Sequence, residues 1–168
     1  ADFKDRLDKV PELLGRSQAL LELWKKIELA SSKPSPTVIF GESGTGKELV
    51  AHLIQVRRSG IGHAFSLVDC DWQSLEPEKS LFGKVFGVEN NRGEIKLGQI
   101  EAVGKGTLYL FASERISPQL ASRLSDVLKS GEFFRENGVN PIPFDAQIVF
   151  STNNDLRTKS LSWVLGEN

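Results

Sequence analysis

Residues 41–48 read Gly-Glu-Ser-Gly-Thr-Gly-Lys-Glu. The chemistry this spacing supports is anion binding. Gly41, Gly44 and Gly46 let the backbone turn sharply, so that successive N–H groups point inward at a phosphate. A helix opening at Lys47 adds the positive end of its dipole, and the Lys47 ammonium can reach β- and γ-phosphates. Glu48 stands where the generic loop carries a Ser or Thr hydroxyl against Mg²⁺. The blander alternative is a glycine-rich turn that caps a helix and binds nothing. Context opposes it, because an apolar strand, Thr37-Val38-Ile39-Phe40, precedes the loop and a helix-forming stretch follows. Asp69 and Asp71, at strand spacing, either hold a cation or flank a turn. His52 and His63 lack Cys or carboxylate partners at ligand spacing, which argues against zinc, and no metal ligand is assigned.

The elements that must position this loop follow from periodicity. Ser17 is an N-cap for a helix over 18–31, whose Leu20, Leu23, Trp24, Ile27 and Ala30 share one face. The Ser/Pro run at 31–36 turns the chain into the 37–40 strand. Leu49, Val50, Leu53 and Ile54 stripe a helix over 47–58. Residues 65–68 form a second strand, and 107–112, apolar throughout, a third that is buried on both faces. The stretch 83–106 holds six glycines (83, 87, 93, 98, 104, 106) and is read as loop with a short hairpin. Ser117-Pro118 opens a helix that ends at Gly131, and 147–152 is a fourth strand with Asn153 just past its end. Alternating strands and helices predict an α/β fold, a parallel sheet with helices on both faces. Ligands of such sheets sit beyond the carboxyl ends of the strands, which gathers 41–48, Asp69, 112–116 and Asn153 on one rim.

Bulk properties set the limits. A chain of 168 residues is one domain by length. Its net charge of −1 provides no general attraction to nucleic acid or anionic membrane. No apolar run approaches a membrane span, and the lone Cys70 excludes an internal disulfide and fits a cytoplasmic location. The absence of Met points to a segment of a longer protein, with 1–16 as lead-in from an upstream region and 17–168 as the nucleotide-binding domain.

Six stretches in order, GESGTGKELVA (41–51), LVDC (67–70), LFG (81–83), GTLYL (106–110), ASRLSDVLKSGEF (121–133) and STNNDL (151–156), carry a family resemblance. The chain resembles the AAA+ domain of bacterial enhancer-binding proteins, the NtrC-like activators of sigma-54 RNA polymerase. The resemblance implies a P-loop AAA+ fold with ATP or ADP held by Gly41, Glu42, Ser43, Gly44, Thr45, Gly46, Lys47 and Glu48, and Asn153 as the sensor facing the γ-phosphate. A Glu after the Gly-Lys is usual in that family. The resemblance also implies self-association in the full-length protein, contact with RNA polymerase, DNA binding through another domain, and the setting of a two-component response regulator.

Four departures from the family pattern qualify this. Its catalytic strand ends in Asp-Glu, one holding hydrated Mg²⁺ and the other deprotonating the attacking water, whereas Phe111-Ala112 stand here. A positioned base alone is worth about 10²–10⁴-fold in rate, so Mg²⁺ use is left open and little or no ATP hydrolysis is expected. The sigma-contacting GAFTGA loop is replaced by Gly87-Val88-Glu89-Asn90-Asn91-Arg92. Asp69 replaces an Asn that senses the catalytic Glu. The sequence also stops before the arginine fingers and helical lid of its relatives, so the lid is read as absent or truncated. Glu114, two positions past the lost base, and Asp69 are the candidate displaced acids, set against solvated loop carboxylates. The expected function is a nucleotide-binding regulatory and oligomerisation domain of a bacterial transcriptional regulator that does not remodel sigma-54 polymerase. The alternatives are an active ATPase using Glu114 or Asp69, a non-binding scaffold, and a site adapted to a cyclic dinucleotide.

Overall fold

A computed structural model describes residues 17–33, 36–42, 44, 46–60, 62–71 and 78–153. Helix α1 (Gln18–Ser32) starts where Ser17 Oγ accepts from the Leu20 amide at 3.3 Å, and it leads to strand β1 (Thr37–Phe40). Helix α2 (Lys47–Ser59), strand β2 (Phe65–Asp69) and helix α3 (Glu78–Phe86) follow. A two-residue-a-side hairpin, β3 (Val88–Glu89) and β4 (Ile95–Lys96), precedes a single helical turn, α4 (Gln99–Ala102). Strand β5 (Thr107–Phe111), helix α5 (Pro118–Ser130), a second small hairpin of β6 (Glu132–Phe133) and β7 (Ile142–Pro143), and strand β8 (Gln147–Thr152) complete the described chain.

The sheet order is β1-β8-β5-β2, all parallel, with Val38 opposite Phe150, Tyr109 opposite Val149 and Leu67 opposite Tyr109. Successive side chains point to opposite faces, so each central strand feeds two cores. Val68, Leu108, Leu110, Ile148 and Phe150 pack against Leu120, Ala121, Leu124 and Val127 of α5 and Leu81, Val85 and Phe86 of α3. On the other face Tyr109 and Val149 meet Ala51 of α2, and α2 in turn packs on α1 through Ile27, Leu53 and Ile54. The doubly covered parallel sheet expected from the sequence is thus present, and β5 and β8 are buried on both sides as their apolar runs require.

Two elements depart from expectation. Helix α3 runs through a stretch read partly as loop. Leu81 and Val85, one helical turn apart, fill the core, and Gly83 belongs to the helix because a Cβ there would meet Val88 Cγ2 at 2.9 Å. The β6–β7 hairpin was not anticipated, since strands of two residues carry no periodicity to read. The expected hairpin within 83–106 is present as β3–β4. Residues 1–16, with the lead-in assigned to them, lie outside the described residues.

Candidate nucleotide site

Two glycines of the loop after β1 take a backbone conformation that favours glycine. Gly44 and Gly46 have φ of 79° and 83°, a left-handed region that costs other residues strain. A Cβ at either would touch nothing within 4 Å, so conformation rather than space demands glycine. Gly46 caps α2, its carbonyl accepting from the Val50 amide at 3.1 Å, and the helix N-terminus therefore opens directly onto the loop. The Gly41 amide donates to the Thr152 carbonyl at 3.1 Å, which ties the loop to the end of β8. Lys47 Nζ donates to the carbonyls of Gly41 and Glu42 at 2.5 and 2.8 Å. Ser43 and Thr45, both assigned to the phosphate cradle, lie outside the described residues.

A cavity of about 600 Å³ adjoins this loop, in the size range of small-molecule sites. Its lining joins Gly44, Gly46, Lys47 and Glu48 to Leu67, Tyr109, Phe111, Ala112 and Glu114, and to Ser151, Thr152 and Asn153. Asn153 therefore reaches the same cavity as Lys47, as the strand-end geometry implied. Tyr109 donates its hydroxyl to Ser151 Oγ at 2.7 Å inside the sheet. Burial raises the Tyr109 phenol above its ordinary range, partly offset by that hydrogen bond.

The acids fall differently from one another. Asp69 sits at the rim but does not line the cavity; its Oδ1 accepts from the Asp71 amide at 2.9 Å, which makes the pair a turn. Glu114 does line it, and its Oε2 accepts from Thr152 Oγ1 at 2.8 Å, so it is not the free solvated carboxylate set against the displaced acid. It arrives there by an unexpected route. Strand β5 ends at Phe111, Ala112 turns left-handed at φ 51°, and Ser113–Arg115 form one tight helical turn. Ser113, fully buried, braces the turn by donating to the Leu110 carbonyl at 2.8 Å. The placement of Glu114 at the cavity thus depends on a backbone reversal rather than on strand alternation, and alanine carries no signal for a left-handed conformation.

At the end of β5 the cavity is lined by Phe111 and Ala112, whose side chains are a phenyl ring and a methyl group. Among the described residues no three His, Cys, Asp or Glu side chains lie together as a metal group would require. Glu48 and Glu114 are the carboxylates among the described residues that line the cavity. Cys70 is fully buried, and burial first, then the nearby Asp69 charge, pushes its thiol far above the usual range, so it is no nucleophile.

Away from the four-stranded sheet, residues 87–92 form the base and tip of the separate β3–β4 hairpin. Asn90 closes the tip, its Oδ1 accepting from the amides of Arg92 and Glu94 at 2.9 Å each. Gly87 (φ 85°) and Gly98 meet backbone to backbone at the base, where a Cβ on either would collide with the other segment. Val88 bridges to Glu136, and Arg135 grips Glu101 through Nε and Nη2 at 2.7 and 2.9 Å while facing Glu89 at 3.7 Å. Arg123 pairs with Glu136 and lies 4.0 Å over the Phe86 ring, a packing role.

A parallel sheet whose first strand empties into a glycine–lysine loop, with Asn153 just past the end of an inner strand, defines an α/β domain of the AAA+ P-loop class. More specifically, the chain belongs to the family described as the sigma-54 interaction domain, which matches residues 13–163. The Nif-specific regulatory protein of Rhodobacter capsulatus is 37% identical over 147 residues, which is 86% of this chain and 25% of that protein. The DNA-binding transcriptional regulator NtrC of Azospirillum brasilense is 34% identical over 161 residues, 94% of this chain and 33% of that protein. Brucella abortus NtrX solved in complex with ATP superimposes with a TM-score of 0.74 at 28% identity, over 90% of this chain and 36% of that one. The same protein in complex with ADP gives 0.71 at 28% identity, over 90% of this chain and 33% of that one. The chain thus spans about a quarter to a third of the length of these relatives. No helix among the described residues is long and apolar enough to cross a membrane.

Proposed function

We propose that this domain binds ATP or ADP through residues 41–48 and Asn153 and serves as a regulatory and oligomerisation module of a bacterial transcriptional regulator, with little or no turnover. The observation that carries the reading is the pairing, in one cavity, of Gly44, Gly46 and Lys47 with Phe111 and Ala112. The NtrX structures bound to ATP and ADP lend support to a nucleotide ligand. Regulation of this kind needs only that nucleotide bind two assembly or conformational states with different affinity. Residues 17–168 act as the nucleotide unit and 1–16 lead into it. The protein as a whole resides in the cytoplasm and reaches DNA through a domain outside this chain. The polar 87–92 hairpin does not engage sigma-54, so contact with RNA polymerase takes another form.

In this site Lys47 and the loop amides bind and orient phosphates, the α2 N-terminus stabilises their charge, and Asn153 sits where it can touch the terminal phosphate. No described residue is placed to hold a metal and activate water together. Calorimetric titration with ATP and ADP, beside a Lys47→Ala control and a phosphate-release assay, tests the reading. Binding that Lys47→Ala removes, without turnover, is the expected result; absence of binding at millimolar nucleotide by a folded protein overturns it. One observation favours a second reading, an active ATPase: Glu114 lies in the cavity and is oriented by Thr152. Measurable hydrolysis that Glu114→Gln abolishes would establish it.

A further inference from the structure

Of the described residues lining the cavity, Lys47 is the only cation, whereas Glu48 and Glu114 are both carboxylates. Glu48 lies 3.7 Å from His52 Nε2, but Glu114 has no ion-pair partner among the described residues. Its neighbour Arg115 turns away to Asp71 at 3.4 Å. The Glu114 carboxylate is fixed by the Thr152 hydroxyl, one residue before Asn153, which is the end of the cavity where a terminal phosphate would lie. In metal-assisted sites the cation cancels the charge of that phosphate. Here the strand end that would hold the cation offers a phenyl ring and a methyl group.

We propose that the site selects a nucleoside diphosphate over a triphosphate, with Glu114 as the specificity-determining residue. This rests on the phosphate-loop reading above and narrows its ligand. A γ-phosphate would bring at least one further negative charge, unscreened by metal, towards a carboxylate that cannot swing aside without losing its hydrogen bond to Thr152. A diphosphate ends nearer the cradle, where Lys47 and the α2 N-terminus compensate its charge. Like charges a few ångströms apart in a partly buried cavity repel strongly enough to cost about tenfold in affinity.

The test is titration of the protein with ADP and with ATP in metal-free buffer containing a chelator, using the unmodified chain, Glu114→Gln, Thr152→Val and Lys47→Ala, with thermal melts confirming that each is folded. The expected pattern is ADP about tenfold tighter than ATP in the unmodified protein. Glu114→Gln should bring the two to within about twofold by strengthening ATP alone, and Thr152→Val, which releases the carboxylate, should move the ratio part of the way. Equal affinities in the unmodified protein, or a ratio that Glu114→Gln leaves unchanged, would overturn the proposal while leaving nucleotide binding intact. Should neither nucleotide bind at millimolar concentration, the phosphate-loop reading itself falls, an outcome separate from loss of selectivity.

Discussion

The turn after β1 and the turn after β5 face one another across β8 at the carboxyl edge of the sheet, and they differ in what their backbones carry. After β1 the chain presents amides, a helix N-terminus and an ammonium, all suited to a polyanion. After β5 it makes an equally specific turn, with a left-handed Ala112, a buried Ser113 brace and the Cys70 amide donating to the Phe111 carbonyl at 3.1 Å. That second turn nevertheless displays a phenyl ring and a methyl group. A non-glycine residue in the left-handed region costs about 1–2 kcal/mol, so the turn is imposed by its surroundings rather than chosen by its own residues. Backbone frame and side-chain chemistry are therefore separable: two equally specific turns on one rim display different groups.

The contrast is most exposed to Lys47→Ala. If the β1 turn supplies the binding, loss of the charge-assisted contacts from Lys47 should weaken nucleotide by about a hundredfold in titration; an unchanged affinity would erase the distinction between the two turns. Next in size is Phe111→Asp combined with Ala112→Glu. If only side chains are missing after β5, this pair should make ATP affinity about tenfold more dependent on Mg²⁺ than it is in the unmodified protein. A metal-blind double variant would mean that the frame, too, has lost its geometry.

Cys70, beneath the β5 turn, offers a pH test of comparable size. Its folded pKa is raised by burial and then by Asp69, so the unfolded chain releases this proton first, near pH 8.5. Above that pH the folded state binds more protons than the unfolded one, and stability must fall as pH rises, by up to about 1.4 kcal/mol per unit. Below it this contribution is fully present. Denaturant melts between pH 8 and 10 should show the decline, and Cys70→Ala should flatten much of it, the raised Tyr109 phenol adding a smaller slope at the upper end. The smallest effect is expected from Ser117→Ala. Removal of the cap on the Leu120 amide, at 3.1 Å, should cost about 1 kcal/mol of stability and leave nucleotide affinity alone. A fall in affinity as well would show that the two turns are coupled.

The sharp turn after β1 was legible because its glycines encode a local conformation that little else overrides. Helix α5 was legible at both ends for the same reason: Ser117 caps it, Pro118 starts it, and Gly131 stops it at φ 74°. Helix α3 was partly concealed by Gly83, a weak helix former retained for close packing against Val88. The position of Glu114 was legible only as a candidate. An offset of two along an extended strand suggested the correct side of the sheet, but the chain reaches it through a reversal at Ala112, a residue type that carries no signal for positive φ. For Asp69 the sequence left a cation site and a turn both open, because strand-end carboxylates look alike whether they face a cavity or, as here, tie down their own turn.

The close approach of Gly87 and Gly98 has a mechanical consequence. With no side chain between the two backbones, and with Arg135 gripping Glu101 and facing Glu89, the β3–β4 hairpin has no hinge at its root. The bridge to Glu136 couples it further to the hairpin that follows α5. A push delivered to Asn90 at the tip would therefore pass to the second hairpin through backbone, the Glu89 amide donating to the Glu136 carbonyl and the Glu136 amide to the Gly87 carbonyl.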